Sequence, residues 1–245
     1  MKKLKILFFL LSLPSLSYGL ENLKPIVDHV DKLYRSNSSM TEVEMEIVNP
    51  NWERTLRMNI WTETMKNTFI DILYPNKEKG SGTLRKNSEM WNYLPKVGKV
   101  VKVPPSMMMS SWMGSDFNND DLVKETTLSD NYSAKSLEVN DKTLTVIELT
   151  PLKSTVTVWG KIALTIKKEN NMPIKEEYFD EKGQKIRTLN FSDYKTLGGR
   201  LIPARLELIP EGKQNQKTVI KYISAKFDTE LPADTFSLIN LQRKR

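Results

Sequence analysis

The feature that most constrains this chain is an alternation of apolar and polar side chains that begins near residue 43 and recurs, with interruptions, to residue 227. Val43, Met45 and Ile47 alternate with Glu44 and Glu46, and Leu56, Met58 and Ile60 alternate with Arg57 and Asn59. A period of two sends successive side chains to opposite faces, so each run reads as a half-buried antiparallel strand. Asn49-Pro50-Asn51 between the two runs supplies a turn and makes them a hairpin. Similar runs predict strands at residues 68–74, 83–86, 89–94 and 97–103, then at 132–139, 143–149, 161–168, 174–179, 185–194, 201–208 and 219–227. Asn140-Asp141, Asn170-Asn171, Glu181-Lys182-Gly183, Gly198-Gly199 and Glu211-Gly212 punctuate the second group. Strands this short, at this spacing, predict one antiparallel sheet that curls into a barrel or sandwich.

Two segments depart from the pattern. Residues 21–36 carry Leu23, Ile26 or Val27, Val30, Leu33 and Tyr34 at helical spacing, with Asp28, Asp31 and Lys32 outward and Pro25 in the first turn. They predict one amphipathic helix with a single face to bury. Residues 104–123 hold four of the eleven methionines, Met107, Met108, Met109 and Met113, together with Trp112. Pro104-Pro105 ends a strand, Ser106 and Gly114 bracket one short helix, and Asn118 or Asn119 starts another that ends near Val123. Methionine adapts to irregular apolar surfaces, so this segment reads either as a lid over an apolar cavity or as a plug of ordinary core at one end of a barrel.

The N-terminus has the layout of a secretory leader: Lys2, Lys3 and Lys5, an apolar run over residues 6–13, and Ser17-Tyr18-Gly19 as a small-residue cleavage site. The run is shorter than the ~20 residues that span a bilayer. The expectation is a signal peptide over residues 1–19 and a single domain over residues 20–245. With no cysteine there is neither a disulfide nor an acylated N-terminal Cys, so an exported chain diffuses freely rather than being lipid-anchored. Removing three lysines and no acid from the formal charge of +7 leaves +4, spread along the chain, which argues against a nucleic-acid partner.

The sequence offers little to catalysis. It contains no G-x-S-x-G, no H-E-x-x-H, no phosphate-binding glycine loop and no nucleophilic cysteine. His29 is the single histidine and reads as solvated, and no metal or other cofactor is expected. Asp116, Asp120 and Asp121 lack the spacing of a calcium loop and read as helix capping and surface. Lys161, Lys167, Lys168, Lys175 and Arg187 make either a basic strip for anionic head groups or a solvated strand face.

Between Asp71 and Lys124 the chain carries Tyr74-Pro75, Lys79-Gly80-Ser81-Gly82, Met90-Trp91-Asn92-Tyr93-Leu94-Pro95, Pro104-Pro105-Ser106-Met107-Met108 and Gly114-Ser115-Asp116-Phe117-Asn118-Asn119-Asp120-Asp121-Leu122. This stretch resembles the outer-membrane lipoprotein-sorting proteins of the LolA-like family, in a branch divergent from LolA itself. The likeness extends more weakly from the N-terminal helix to residues 232–238. It implies a mainly β fold: a curved, incompletely closed antiparallel barrel whose apolar cavity is covered by an N-terminal helix and short lid helices. It implies a periplasmic, monomeric, non-enzymatic carrier of lipoprotein acyl chains or other lipids between inner and outer membrane. An inner-membrane ABC permease or lipid-exporting transporter is implied as its partner. Placed on that fold, the cavity and lid residues are expected to be Met45, Ile47, Met58, Ile60, Ile70, Ile72, Trp91, Met107, Met108, Met109, Trp112 and Met113. A different class of function, in which the Met-rich segment binds a partner protein and no lipid is carried, is served equally well by an exposed Met-Trp patch.

Overall fold

The computed structural model describes residues 22–123 and 127–243. The expected leader and its cleavage site lie outside the described residues. Among those described, thirteen strands form one antiparallel sheet: β1 (Ser38–Asn49), β2 (Trp52–Glu63), β3 (Asn67–Tyr74), β4 (Gly82–Lys86), β5 (Glu89–Leu94), β6 (Lys99–Lys102), β7 (Tyr132–Leu137), β8 (Leu144–Pro151), β9 (Lys161–Lys167), β10 (Pro173–Phe179), β11 (Lys185–Leu197), β12 (Arg200–Pro210) and β13 (Lys217–Phe227). Their order across the sheet is β6-β5-β4-β3-β2-β1-β13-β12-β11-β10-β9-β8-β7. Each strand therefore pairs with its chain neighbour, and β1 with β13 joins the two ends of the meander. The gap falls between β6 and β7, where the chain leaves the sheet, and the barrel stays open. Bulges at Glu42/Val43, Arg57/Met58 and Tyr178/Phe179 add the local bend that curls so wide a sheet.

Register fixes which residues face inward. In β1 every odd position from Ser39 to Ile47 is buried while the glutamates between them are only half-buried. Val43 pairs with Met58 and Met45 with Leu56, and Met58 in turn pairs with Ile72 and Ile60 with Ile70. The alternation that defines the hairpin thus propagates across three strands and gives them one apolar concave face.

The helices occupy the concavity and one outer flank. Helix α1 (Lys24–Lys32) is shorter than its sequence pattern, with Pro25 in the first turn. It lays Leu23, Val27 and Val30 against Ile147, Leu149, Ile162, Leu164 and Ile166 of β8 and β9. His29 is exposed. The first expected helix of the Met-rich segment is only a 3-10 turn (Pro105–Met107), with proline at its start. The second is present as α2 (Asn119–Val123). Asn118 and Asp121 cap it reciprocally: Asp121 N–H donates to Asn118 Oδ1 at 2.8 Å and Asn118 N–H to Asp121 Oδ2 at 3.0 Å. Two one-turn helices have no counterpart in the sequence reading, α3 (Leu128–Asn131) and α4 (Leu238–Gln242). Helix α4 places Leu241 on the convex face, where it closes a second core with Phe69, Leu84 and Tyr93.

Candidate apolar binding site

The concave face of β1, β2 and β3 meets that of β11, β12 and β13 across a cavity of about 350 Å³. Val43, Met45, Met58, Ile60 and Ile70 form one wall, and Leu189, Leu206, Leu208, Ile220 and Tyr222 form the other. Trp112, Phe117 and Leu122 descend from the lid segment between them. A second chamber of about 330 Å³ runs beneath α1, lined by Val30, Tyr34, Leu128, Ile162 and Phe191. Both chambers are bordered by Arg35, Asp121, Tyr178, Leu189 and Leu206, so their partition is polar within an apolar surround. Each volume lies at the small end of the ~300–1,000 Å³ typical of small-molecule pockets.

The lid is tied to the sheet at several points. Trp112 is 2 % exposed, and its indole N–H donates to Thr83 Oγ1 at 3.2 Å. The Thr218 hydroxyl donates to Asp116 Oδ2 at 2.8 Å and accepts from the Asp116 N–H at 2.9 Å, while Gln216 donates to the other Asp116 oxygen. Arg54 of β2 donates to the Met113 carbonyl. Met113 and Gly114 both take positive φ, 52° and 75°, which turns the chain tightly at that contact.

The strongest tie is ionic. Arg187 of β11 donates to both carboxylate oxygens of Asp121 on α2, at 2.6 and 2.8 Å. Its guanidinium also sits 4.6 Å from the ring centres of Trp159 and of Tyr178. Burial alone would depress the arginine, yet its net shift is upward because Asp121 holds the charged form. Tyr178 in turn donates to Glu176, and burial first, with that carboxylate next, pushes its phenol well above the usual range. The Arg187 Nε is buried with no hydrogen-bond acceptor. The guanidinium is thus bonded along one edge by Asp121 and packed between two aromatic faces.

Of the residues expected in the cavity and lid, Met45, Ile47, Met58, Ile60, Ile70 and Ile72 share the concave cluster, and Met108, Trp112 and Met113 pack onto it. Met107 and Met109 are each 51 % exposed and turn away from it. Trp91 must be reassigned: it lies on the convex side with Phe69, Leu84 and Leu241, under the ammonium of Lys102, and its neighbour Met90 is the inward residue. Arg187 likewise leaves the basic strip of the sequence reading, since it is buried and points inward. The lysines of that strip are partly neutralised, Lys161 by Glu148 and Lys175 by Glu177. Sequence reasoning missed the whole β11–β13 wall, whose alternation at Leu206 and Leu208 and at Ile220 and Tyr222 matches that of β1. No cluster of three or more His, Cys, Asp or Glu side chains suited to a metal occurs among the described residues. Nor is any described helix long and apolar enough to cross a membrane.

An open antiparallel barrel that holds an amphipathic helix and the Met-rich segment around an apolar space defines the class of protein. A family model described only as "Uncharacterized protein"-like matches residues 64–243, and the chain belongs to that family. Its fold is that of the LolA-like lipoprotein-sorting proteins. The chain is similar to a DUF1329 family protein from Desulfovibrio piger, with TM-score 0.78 at 20% identity over 91% of this chain and 98% of the other. It is similar to a putative outer membrane lipoprotein-sorting protein domain from Vibrio parahaemolyticus, with TM-score 0.74 at 20% identity over 90% and 98%. A LolA superfamily protein from Nitrosomonas europaea gives TM-score 0.72 at 21% identity over 89% and 98%. Among curated proteins, none matches the chain.

Proposed function

We propose that the chain is a periplasmic, non-enzymatic carrier that shelters acyl chains of lipoproteins or other lipids in the apolar space under its lid and passes them between inner and outer membrane. The observation that carries this reading is the cavity between the β1–β3 and β11–β13 walls, closed by Trp112, Phe117 and Leu122. Burying an acyl chain gains about 0.8 kcal/mol per methylene, so a ~16-carbon chain represents on the order of 12 kcal/mol gross. A carrier has to match that burial and then surrender it. A lid held by one ion pair and a few hydrogen bonds, over a sheet that need not unfold, meets both demands. An inner-membrane ABC permease or lipid exporter is the partner that would load it, and a one-to-one carrier would work as a monomer.

The test is to express the leader-bearing chain in a host with a periplasm, extract the purified protein with organic solvent, and examine the extract by mass spectrometry. Uptake of a fluorescent fatty acid and of an acylated peptide is measured alongside. Val43→Trp narrows the cavity without adding charge, and its secondary structure is checked by circular dichroism. Co-purifying lipid and saturable uptake, both reduced in the folded Val43→Trp protein, support the carrier. A chain that holds no lipid and takes up neither probe is not one. The exposure of Met107 and Met109 favours a second reading, a surface that binds a partner protein without lipid. That reading gains if partner capture survives Val43→Trp and fails in Met107→Ser, Met109→Ser.

A further inference from the structure

We propose that a cleft rimmed by charged side chains at one end of the barrel is the head-group subsite of the same cavity, and that it selects amphiphiles whose head bears a phosphate. The inference rests on reading the apolar chambers as an acyl-chain site. The cleft, about 730 Å³, is bounded by the end of α1, the β2–β3 turn, the β11–β12 turn and Asp228 just after β13. Arg35 borders this cleft and both apolar chambers, and Asp31 borders the cleft and the second chamber. The charge-rimmed cleft and the apolar chambers therefore meet at Arg35, whose guanidinium Nη1 rests on the Met65 sulfur at 3.1 Å. A single-tailed or double-tailed lipid has the same two-part layout, and with its chain in the cavity its head would emerge where Arg35 stands.

The chemistry of the cleft narrows the head. Four cations, Lys32, Arg35, Lys66 and Arg200, share it with three carboxylates, Asp28, Asp31 and Asp228. Lys32 bonds Asp28 at 2.6 Å, Arg200 bonds Asp228 at 2.7 Å and also the Arg35 carbonyl, and Arg35 lies 3.9 Å from Asp31. Lys66 is exposed on the β2–β3 turn and forms no ion pair among the described residues. One positive charge, that of Lys66, is left over in a cleft whose other three cations each have a carboxylate within 4 Å, and an exposed ammonium among fixed cations suits a phosphate.

Phosphatidic acid and diacylglycerol with the same chains, presented in detergent below the amount that strips the cavity, separate head from tail. The mature chain should bind phosphatidic acid about tenfold more tightly than diacylglycerol, an advantage that shrinks at high salt. Lys66→Glu, on an exposed turn, should abolish most of that advantage and leave diacylglycerol binding unchanged. Equal affinities for the two lipids, or indifference to Lys66→Glu, would overturn the subsite while the carrier survives. So would a phosphate-free acylated peptide that binds as tightly as phosphatidic acid. Inorganic phosphate that binds in a Lys66-dependent way, in a protein whose lipid affinity ignores the head, would make the cleft an anion site unconnected to the cavity. Binding of neither lipid would remove both readings together.

Discussion

Asp121→Asn is the most informative single change, because it removes one charge and almost nothing else. Asparagine keeps the size of the side chain and an oxygen that accepts the Asn118 N–H, so the cap of α2 is retained. What disappears is the bidentate pairing of Arg187 at 2.6 and 2.8 Å. Removing one partner from a buried ion pair costs about 3–5 kcal/mol. Here the figure is reduced, since the Asp121 side chain is 16% exposed, the amide still accepts a hydrogen bond, and two aromatic rings hold the guanidinium. About 2 kcal/mol remains, and at 1.4 kcal/mol per decade that multiplies the lid-open population about thirtyfold. Hydrogen exchange reads this locally. The amide of Asp116 bonds across to Thr218 of β13 and should lose protection, while the β1–β2 ladder should not. Adding Arg187→Met should restore protection, because an apolar side chain leaves no stranded charge. Unchanged protection in Asp121→Asn, or equal loss throughout β1 and β2, would refute the latch.

Four further outcomes are accessible to denaturation and binding. Leu241→Ala should lower stability by about 3 kcal/mol in urea, since Leu241 is fully buried against Phe69 and Leu84, and lipid uptake should persist because this core lies on the convex face. Gly160→Ala should be severely destabilised, with expression or thermal melting as the measure, because a Cβ there would stand 2.4 Å from the Asp180 carbonyl oxygen and 2.8 Å from the Glu181 Cα. Trp112→Ala should cost about 3 kcal/mol and enlarge the space under the lid, which a rise in fluorescent fatty-acid uptake would report. Asp31 gives a pH signature. Burial raises its pKa above 3.8, against the opposing pull of the Ser129 amide and Arg35, so the native state holds its proton to higher pH than the unfolded chain. Its contribution is full below 3.8 and is lost as pH rises through the raised value. The stability of Asp31→Asn relative to wild type should therefore climb over that acid interval and then level off, and a flat difference would remove the assignment.

What could be read from the sequence depended on whether a strand has one buried face or two. In β1 the outward positions are glutamates, so parity groups Met45 with Ile47 on one face; the resemblance assigned that face to the cavity together with Met58, Ile60, Ile70 and Ile72, and the strand pairing brings all six into one concave cluster. In β3 the run from Phe69 to Ile72 is buried on both sides, and in β4 so is that from Gly82 to Arg85, because Leu241 and Phe236 arrive from the far end of the chain to cover the convex face. Alternation has no meaning under such a cover. The inward assignment fell on Trp91 rather than on Met90, the one-residue slip that inverts a face. The cover that decides it comes from α4, whose Leu241 packs into the convex cluster of Phe69, Leu84 and Tyr93, well beyond any local window.

Arg187 is the opposite case, a site residue whose signal was present and outweighed. Grouped with Lys161, Lys167, Lys168 and Lys175 by charge, it reads as part of a solvated strip. Grouped by parity it falls in phase with Leu189 and Phe191, the buried positions of β11, while Ile186 beside it is 38% exposed. A strand that puts arginine on its apolar face and isoleucine outside has given up burial energy, and the buried charge has to be answered from elsewhere. Asp121, 66 residues away along the chain, provides the answer. Parity of a charged residue against its own strand is thus the observation that singles out Arg187 in the sequence, while its partner Asp121 is visible only in the fold.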